Sequence, residues 1–173
     1  DTAQLAYDQS KSLLEKWHGK GCATYAITPR FSPTSTPDQL RGLGDLWAEY
    51  PDCLMQTHLS EQHPEIAWVK DLFPSARDYL DTYEMYGLLG AKGLYGHSIH
   101  LEPREIDRLA DIGAAVVHCP TSNTFIGSGL CDVLGLARAG IAVGLATDTG
   151  GGSSFSMLRT MAAAYEIGQL RGD

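Results

Sequence analysis

The sequence predicts an α/β fold in which parallel strands alternate with helices, as in part of a (β/α)8 TIM barrel. Short uninterrupted apolar runs alternate with amphipathic segments along the whole chain, which is typical of a parallel sheet covered by helices. Three of these runs end in polar residues, His58, His97 and Asp148. Barrel enzymes build their sites from such strand ends. The chain has 173 residues, whereas a complete barrel needs about 250, so we expect one folding unit that is part of a barrel.

Start and stop signals locate the individual elements. Thr36 can cap a helix that has Pro37 at its first position, and Pro51 ends that helix. Pro64 and Pro74 divide the segment between the second and third strands into two short helices. In chain order we expect a helix over 5–17, a strand over 22–28, a helix over 36–50, a strand over 54–58, helices over 65–72 and 76–86, a strand over 94–97, a helix over 103–112, a strand over 114–118, a polar loop over 119–129, a helix around 133–136, a strand over 141–148 and a last helix around 157–165.

Charge and composition exclude several classes of function. The formal net charge is -8 and the basic residues are scattered, which argues against nucleic acid as a partner. No apolar run approaches the roughly 20 residues that a membrane span requires. The four cysteines form no C-x2-C pair, so they predict buried free thiols in a reducing compartment rather than a zinc knuckle. We therefore expect a cytoplasmic protein without a nucleic-acid or membrane partner.

Histidines at strand ends are the first candidates for chemistry. His58 ends one strand and Glu61 follows it, which suits a metal ligand and a proton carrier; a loop histidine beside a surface acid is the alternative. His97 ends the next strand, whereas three-residue spacing places His100 on the opposite face, where we expect a structural role. His118 also ends a strand, and its position is compatible with either a supporting role in the site or a structural one.

A carboxylate and an Arg-Phe pair complete the candidate set. Asp148 ends a strand within Thr-Asp-Thr-Gly-Gly-Gly, which lacks the lysine of a phosphate-binding loop and so favours a ligand or a general base. Arg30 and Phe31 pair a fork-shaped donor with a flat ring, which suits a planar heterocycle bearing a carbonyl group. A surface arginine beside a packed phenylalanine is the alternative. Two imidazoles and two carboxylates together indicate metal-assisted hydrolysis.

Taken together, these segments resemble the guanine deaminases of the amidohydrolase superfamily. The runs that carry the resemblance follow the family's order along nearly the whole chain: Arg30-Phe-Ser-Pro-Thr-Ser-Thr-Pro, His58-Leu-Ser-Glu, Gly96-His-Ser-Ile-His-Leu, His118-Cys-Pro-Thr-Ser-Asn and Thr147-Asp-Thr-Gly-Gly-Gly. The His, Glu and Asp positions are shared widely across the superfamily. The Arg-Phe-Ser-Pro-Thr-Ser loop is more specific to guanine deaminases.

The resemblance implies a metal and a position within the barrel. A TIM barrel of the metal-dependent hydrolase type would hold one zinc ion, and His58 and Asp148 match two of its ligands. The family's other two ligands come from a His-x-His pair on the first strand, and this sequence contains no such pair. By matching, residues 1–173 are the C-terminal part of the catalytic barrel, about strands four to eight, without the small β-domain. The intact enzyme is expected to be a homodimer.

The resemblance also implies a reaction, the hydrolysis of guanine to xanthine and ammonia by the intact enzyme. Asp148 would ligate the zinc and accept a proton from the attacking water, and Glu61 would protonate the ring nitrogen beside the attacked carbon. His97 would hydrogen-bond the water or the developing oxyanion. Arg30 would bind the guanine carbonyl. Adenine lacks this carbonyl and would leave the buried donor unsatisfied, so the site would reject adenine. The expected catalytic residues are Glu61, His97 and Asp148, and the expected substrate contacts are Arg30, Phe31, His58, Glu61 and Asp148.

Two alternatives stay open from the sequence. The first is another aminohydrolase of the same superfamily, acting on adenosine-like nucleosides or on chlorotriazines. The second is a half-barrel that is not an enzyme by itself. Because a catalytic zinc normally has three or more protein ligands and only His58 and Asp148 match, we expect the isolated chain to bind zinc weakly and to lack activity.

Overall fold

Five parallel strands form the centre of the computed structural model, which describes residues 2–172. The expected domain covers residues 1–173, so Asp1 and Asp173 lie outside the described residues. The strands are β1 (Ala26–Ile27), β2 (Leu54–Leu59), β3 (Gly93–His97), β4 (Ala115–His118) and β5 (Ala142–Leu145). Their order across the sheet is their order along the chain, and each neighbouring pair is parallel. The predicted parallel α/β sheet is therefore confirmed.

Helices separate the strands, as the alternating pattern predicts. The side chain of Thr36 accepts a hydrogen bond from the backbone N–H of Gln39 at 3.2 Å, so the predicted cap is present. The helices are α1 (Ala3–Trp17), α2 (Pro37–Glu49), α3 (His63–Leu72), α4 (Asp81–Glu84), α5 (Pro103–Asp111), α6 (Pro120–Phe125), α7 (Val133–Arg138) and α8 (Met157–Arg171), with a 3-10 turn at Ser32–Thr34. No helix among residues 2–172 is long and apolar enough to cross a membrane.

Two strands are much shorter than the sequence predicts, whereas β4 begins only one residue later than expected, at Ala115. β1 has two residues instead of the expected seven. Ala26 lies opposite Leu54, the first residue of β2, so the residues before Ala26 have no strand to pair with. β5 ends at Leu145, three residues before Asp148. Asp148 therefore lies in the loop that follows its strand rather than within the strand.

Two helical segments also differ from the prediction. α4 covers Asp81–Glu84 instead of 76–86, because the side chain of Asp81 accepts a hydrogen bond from the backbone N–H of Arg77 and thus competes with the helix. The segment 119–129, expected to be a loop, contains α6. Pro120 occupies the first turn of this helix, where its missing N–H costs nothing.

A buried tyrosine holds the end of β2 in place. Tyr83 is fully buried, and its hydroxyl donates a hydrogen bond to the backbone carbonyl of His58 at 2.7 Å. The same hydroxyl oxygen accepts from the backbone N–H of Ser32 at 3.1 Å and from the Thr57 hydroxyl at 3.0 Å. The end of β2 is therefore fixed from behind, which orients the residues that follow it.

The two faces of the sheet differ in burial. Met55, Tyr95 and Val116 on one face are fully buried. On the opposite face Gln56 is exposed and Val117 is half-buried. Parallel sheets are normally covered on both faces, whereas residues 2–172 cover the second face of this sheet only in part.

Candidate active site

Three side chains converge where β2, β3 and β5 end. His58 belongs to the end of β2, His97 is the last residue of β3, and Asp148 follows β5. Each offers one potential ligand atom, and these atoms all lie within 4.8 Å of one another. The convergence follows from the parallel sheet, because the carboxyl ends of its strands share one edge.

The backbone is strained at this edge of the sheet. His97 has a φ of 64° and Asp148 a φ of 44°, and Ser60 and Ser98 also have positive φ values. Residues with side chains rarely adopt this left-handed conformation, which costs about 1–3 kcal/mol and is typical of functional sites. At His97 and Asp148 this conformation turns the chain out of the strand direction at the converging group.

The backbone carbonyl of Arg30 sets the protonation of His58. This oxygen can only accept, and it lies 2.8 Å from Nδ1 of His58, so Nδ1 must carry the proton. Nε2 is then left with a lone pair, as a metal ligand requires. Burial lowers the pKa of His58, and the nearby His97 lowers it further. The neutral imidazole is therefore the favoured form.

His97 lies between two carboxylates. Its side chain is buried, with Nδ1 at 2.8 Å from the Asn123 side-chain oxygen. Nε2 lies 3.5 Å from Oε2 of Glu61 and 4.0 Å from Oδ2 of Asp148. This position places His97 within reach of both groups that the sequence predicts as proton carriers.

Serine hydroxyls hold the two carboxylates. Ser122 donates to Oδ2 of Asp148 at 2.5 Å, and Ser128 donates to Oε1 of Glu61 at 2.8 Å. Charge-assisted hydrogen bonds of this kind are stronger than neutral ones. Both serines belong to the segment after β4. Each carboxylate is thus oriented by a neighbour that the sequence does not identify.

The donor set fits a zinc ion. Imidazole nitrogen and carboxylate oxygen are ordinary zinc ligands. The Nε2 lone pair of His58 and the carboxylate of Asp148 belong to one cluster, with His97 as its third member. These ligand types are therefore consistent with His58 and Asp148 as metal ligands, and His97 lies close enough to contact a group bound between them.

Arg30 and Phe31 lie beside this cluster. The Arg30 guanidinium stacks over the Phe31 ring at 4.6 Å, and the Phe31 ring lies 5.6 Å from that of His58. A cavity of about 230 Å³ opens at the same place, and its lining includes Arg30, His58, His97 and Asp148. The predicted arginine and phenylalanine are therefore adjacent to the predicted metal ligands.

His118 and His100 lie outside this cavity lining. Val117 and Cys119 line the cavity, so the alternation of a strand places His118 on the opposite face of β4. Burial lowers the pKa of His118 to about 4, and neither ring nitrogen has a hydrogen-bond partner among the described residues. His100 donates from Nε2 to the backbone carbonyl of Ser128 at 2.9 Å, in line with the structural role expected of it.

A second group of potential metal ligands lies at the start of β2, at the end of the strand opposite to His58. His18 pairs through Nε2 with Asp52 at 2.9 Å, while Nδ1 accepts from the backbone N–H of Tyr25 at 3.1 Å and lies 3.5 Å from the sulfur of Cys53. Asp52 and Cys53 thus face different ring nitrogens, which point in different directions. This arrangement is a hydrogen-bonded cluster rather than a metal site.

Sequence reasoning missed three residues that contact the candidate catalytic groups. They are Ser122, Asn123 and Ser128, all from the segment predicted as a polar loop. Ser122 and Asn123 lie in the run His118-Cys-Pro-Thr-Ser-Asn that resembles the family, but their partners are 26 positions away, and the partner of Ser128 is 67 positions away, so the sequence did not indicate these contacts.

Comparison with known proteins identifies relatives over nearly the whole chain. The sequence model of the amidohydrolase family matches residues 3–171. The guanine deaminase of Escherichia coli (strain K12) is 47% identical over 172 residues, which are 99% of this chain and 39% of that protein. The chain therefore spans about two fifths of the length of this relative.

Solved structures agree with the sequence matches. The structure of the E. coli guanine deaminase has a TM-score of 0.97 over 99% of this chain and 40% of its own. Guanine deaminase from C. acetobutylicum, solved with guanine bound in its active site, is 32% identical with a TM-score of 0.94 over 99% of this chain and 41% of its own. A zinc-bound adenosine deaminase from Xanthomonas campestris, 22% identical with a TM-score of 0.82 over 96% of this chain and 38% of its own, shows the shared fold alone.

Proposed function

Because this chain belongs to the amidohydrolase family, we propose that it carries much of the active site of an enzyme that hydrolyses guanine to xanthine and ammonia. The observation that carries the proposal is the convergence of His58, His97 and Asp148 at the ends of three parallel strands. Guanine as the substrate is supported by the relatives, which include the guanine deaminase of E. coli and a guanine-bound guanine deaminase from C. acetobutylicum.

In this proposal His58 and Asp148 hold a zinc ion. Zinc, when bound, would lower the pKa of a water molecule towards neutrality and so make its deprotonation easier. The sequence contains no His-x-His pair, so we propose that the remaining ligands come from residues outside this chain. Arg30 contributes through its backbone carbonyl, which keeps the Nε2 lone pair of His58 available.

Two carboxylates would move the protons. One oxygen of Asp148 is held by Ser122, and the other would accept a proton from the attacking water. Glu61 would deliver a proton to the ring nitrogen beside the attacked carbon, which relieves negative charge as that carbon becomes tetrahedral. The water oxygen becomes the new carbonyl oxygen of xanthine. One of its hydrogens ends on the ring nitrogen and the other on the departing ammonia.

His97 and Arg30 would stabilise and select the substrate. His97, with Nε2 within 4.0 Å of both carboxylates, would hydrogen-bond the attacking oxygen. Arg30 would bind the carbonyl oxygen of guanine, and Phe31 would lie against the purine ring. Adenine lacks that carbonyl group, so it would leave the guanidinium without its partner and be rejected.

The five strands would correspond to strands four to eight of a closed barrel. β1 and β5 are the edges of the sheet, and its second face is only partly covered. We propose that further strands cover this face in the complete enzyme and that the small β-domain also lies outside residues 1–173. The isolated chain would then bind zinc weakly and be inactive. A cytoplasmic homodimer is part of the same proposal. The cytoplasmic location rests on the cysteine pattern, and the homodimer rests on the resemblance alone.

An assay of the complete polypeptide that contains these residues tests this function. Purified enzyme loaded with zinc is supplied with guanine, adenosine or a chlorotriazine, and xanthine, inosine or dechlorinated product is measured. We expect guanine to be turned over and the other two to be poor substrates. Glu61→Gln should abolish most turnover, while Ser75→Ala, at an exposed serine of the same chain, serves as the matched control. Preference for adenosine or for the triazine would contradict the proposal.

A further inference from the structure

The hydroxyl of Ser128 contacts the group that we propose as the proton carrier. Ser128 Oγ lies 2.8 Å from Oε1 of Glu61, and the serine is 6% exposed. Resting on the proposed function, we propose that Ser128 is a positioning residue that holds the Glu61 carboxylate for proton transfer. The serine acts through Glu61 and does not itself touch the substrate.

The direction of this hydrogen bond is fixed by a second contact. Nε2 of Gln62 donates to the oxygen of Ser128 at 3.2 Å. Since the side-chain amide occupies a lone pair of that oxygen, the single hydroxyl hydrogen of Ser128 is directed to Glu61. The carboxylate therefore receives a charge-assisted hydrogen bond on Oε1.

Because Ser128 contacts Oε1 of Glu61, the other carboxylate oxygen, Oε2, is left for proton transfer. Oε2 of Glu61 is the oxygen that faces Nε2 of His97 at 3.5 Å. With Oε1 engaged by Ser128, a proton taken up by the carboxylate is carried on Oε2, next to His97. A glutamate has several rotatable bonds, and holding it in one orientation places this oxygen at a defined position.

The backbone around Ser128 is itself held in place. Its carbonyl accepts from Nε2 of His100 at 2.9 Å, and its N–H donates to the backbone carbonyl of Asn123 at 2.8 Å. The next residue, Gly129, has a φ of 131°, and a side chain there would press against Ile99 and His100. Ser128 is therefore fixed at its hydroxyl, its N–H and its carbonyl, as a residue that orients another must be.

The same segment orients the two other candidate catalytic groups. Ser122 donates to Asp148, and the Asn123 side chain pairs with His97. Ser128 is thus the third contact from one short stretch of chain to the acid–base cluster. This arrangement links the relative positions of the three groups.

The test compares Ser128→Ala with wild type in the complete enzyme. We expect kcat for guanine to fall roughly ten-fold, while KM changes less than about two-fold, because Arg30 and Phe31, which would bind the carbonyl and the ring of guanine, are untouched. Ser128→Thr keeps the hydroxyl and should recover most of the lost turnover. Ser75→Ala is the control for the loss of a serine hydroxyl. In a Glu61→Ala background, Ser128→Ala should have little further effect, since its partner is gone.

Crystal structures give a readout that is independent of turnover. In Ser128→Ala the Glu61 carboxylate should leave its position or become disordered, while His58 and Asp148 stay in place. An unmoved carboxylate, an unchanged kcat, or an equal loss in the Glu61→Ala background would each overturn the proposal. A wild-type enzyme without guanine turnover would contradict the proposed function only, because the position of Glu61 still decides the role of Ser128.

Discussion

Removing the side chain of Arg30 should separate the proposed substrate recognition from the proposed metal binding. The guanidinium stacks on Phe31, whereas the backbone carbonyl of the same residue holds Nδ1 of His58. Arg30→Ala deletes the first contact and leaves the second, because the carbonyl belongs to the main chain. The variant should therefore still bind zinc but act on guanine with a lower kcat/KM.

The size of the loss in guanine turnover follows from the hydrogen bond that the Arg30 guanidinium is proposed to make with the guanine carbonyl. A hydrogen bond to a charged group is worth about 1.5–3 kcal/mol. Losing it together with the order of the adjacent ring should cost on the order of 2–3 kcal/mol, which is about 30- to 150-fold in kcat/KM for guanine. The stability should fall less, because an exposed cation–π contact contributes only about 0.5–1 kcal/mol.

Steady-state kinetics on the complete enzyme measures this loss, and thermal unfolding measures stability on the same samples. Arg41→Ala is a matched control, since Arg41 is also exposed and also lies near an aromatic ring, that of Tyr86 at 5.7 Å. We expect the control to retain wild-type kinetics. If Arg30→Ala keeps kcat/KM within about three-fold of wild type, the assignment of Arg30 to the substrate is wrong.

Two further predictions concern stability. Tyr83→Phe removes a fully buried hydroxyl that makes three hydrogen bonds, so the free energy of unfolding measured in urea should fall by about 1–3 kcal/mol. If its unfolding midpoint equals that of the exposed control Tyr165→Phe, the Tyr83 hydroxyl does not stabilise the end of β2. Burial raises the pKa of Glu105 to about 7, so the folded state binds more protons than the unfolded state between about pH 4.5 and 7 and stability should fall as pH rises through that window. Glu105→Gln should reduce the dependence of stability on pH in this window. An unchanged dependence would show that other groups cause it.

The sequence located the sheet and the strand-end residues because both depend on local pattern. Apolar runs that end in His58 and His97 predict parallel strands with polar carboxyl ends, and the structure has both. The prediction that Asp148 ends its strand was less accurate. β5 stops at Leu145, and a left-handed backbone conformation at Asp148 brings its carboxylate to the cluster. That conformation leaves no periodic signal in the sequence.

The supporting residues could not be predicted for a different reason. Pro120 to Phe125 are mostly residues with weak helix propensity, yet they form α6. Ser122 and Asn123 in this helix each contact a side chain from outside it, Asp148 in the loop after β5 and His97 at the end of β3. Tertiary contacts of this kind override local preference, and no spacing rule relates the two partners of such a contact.

Xanthine formation by the complete enzyme and by the 173-residue chain, measured side by side with zinc content, shows whether these residues are a whole active site or part of one. His58 and Asp148 match two of the zinc ligands of the family, whereas a catalytic zinc site normally has three or more protein ligands. We predict stoichiometric zinc and guanine turnover in the complete enzyme, and weak zinc binding without xanthine from the chain alone. A monomeric 173-residue chain that holds stoichiometric zinc and deaminates guanine, or a complete zinc-loaded enzyme that forms no xanthine, would contradict the account.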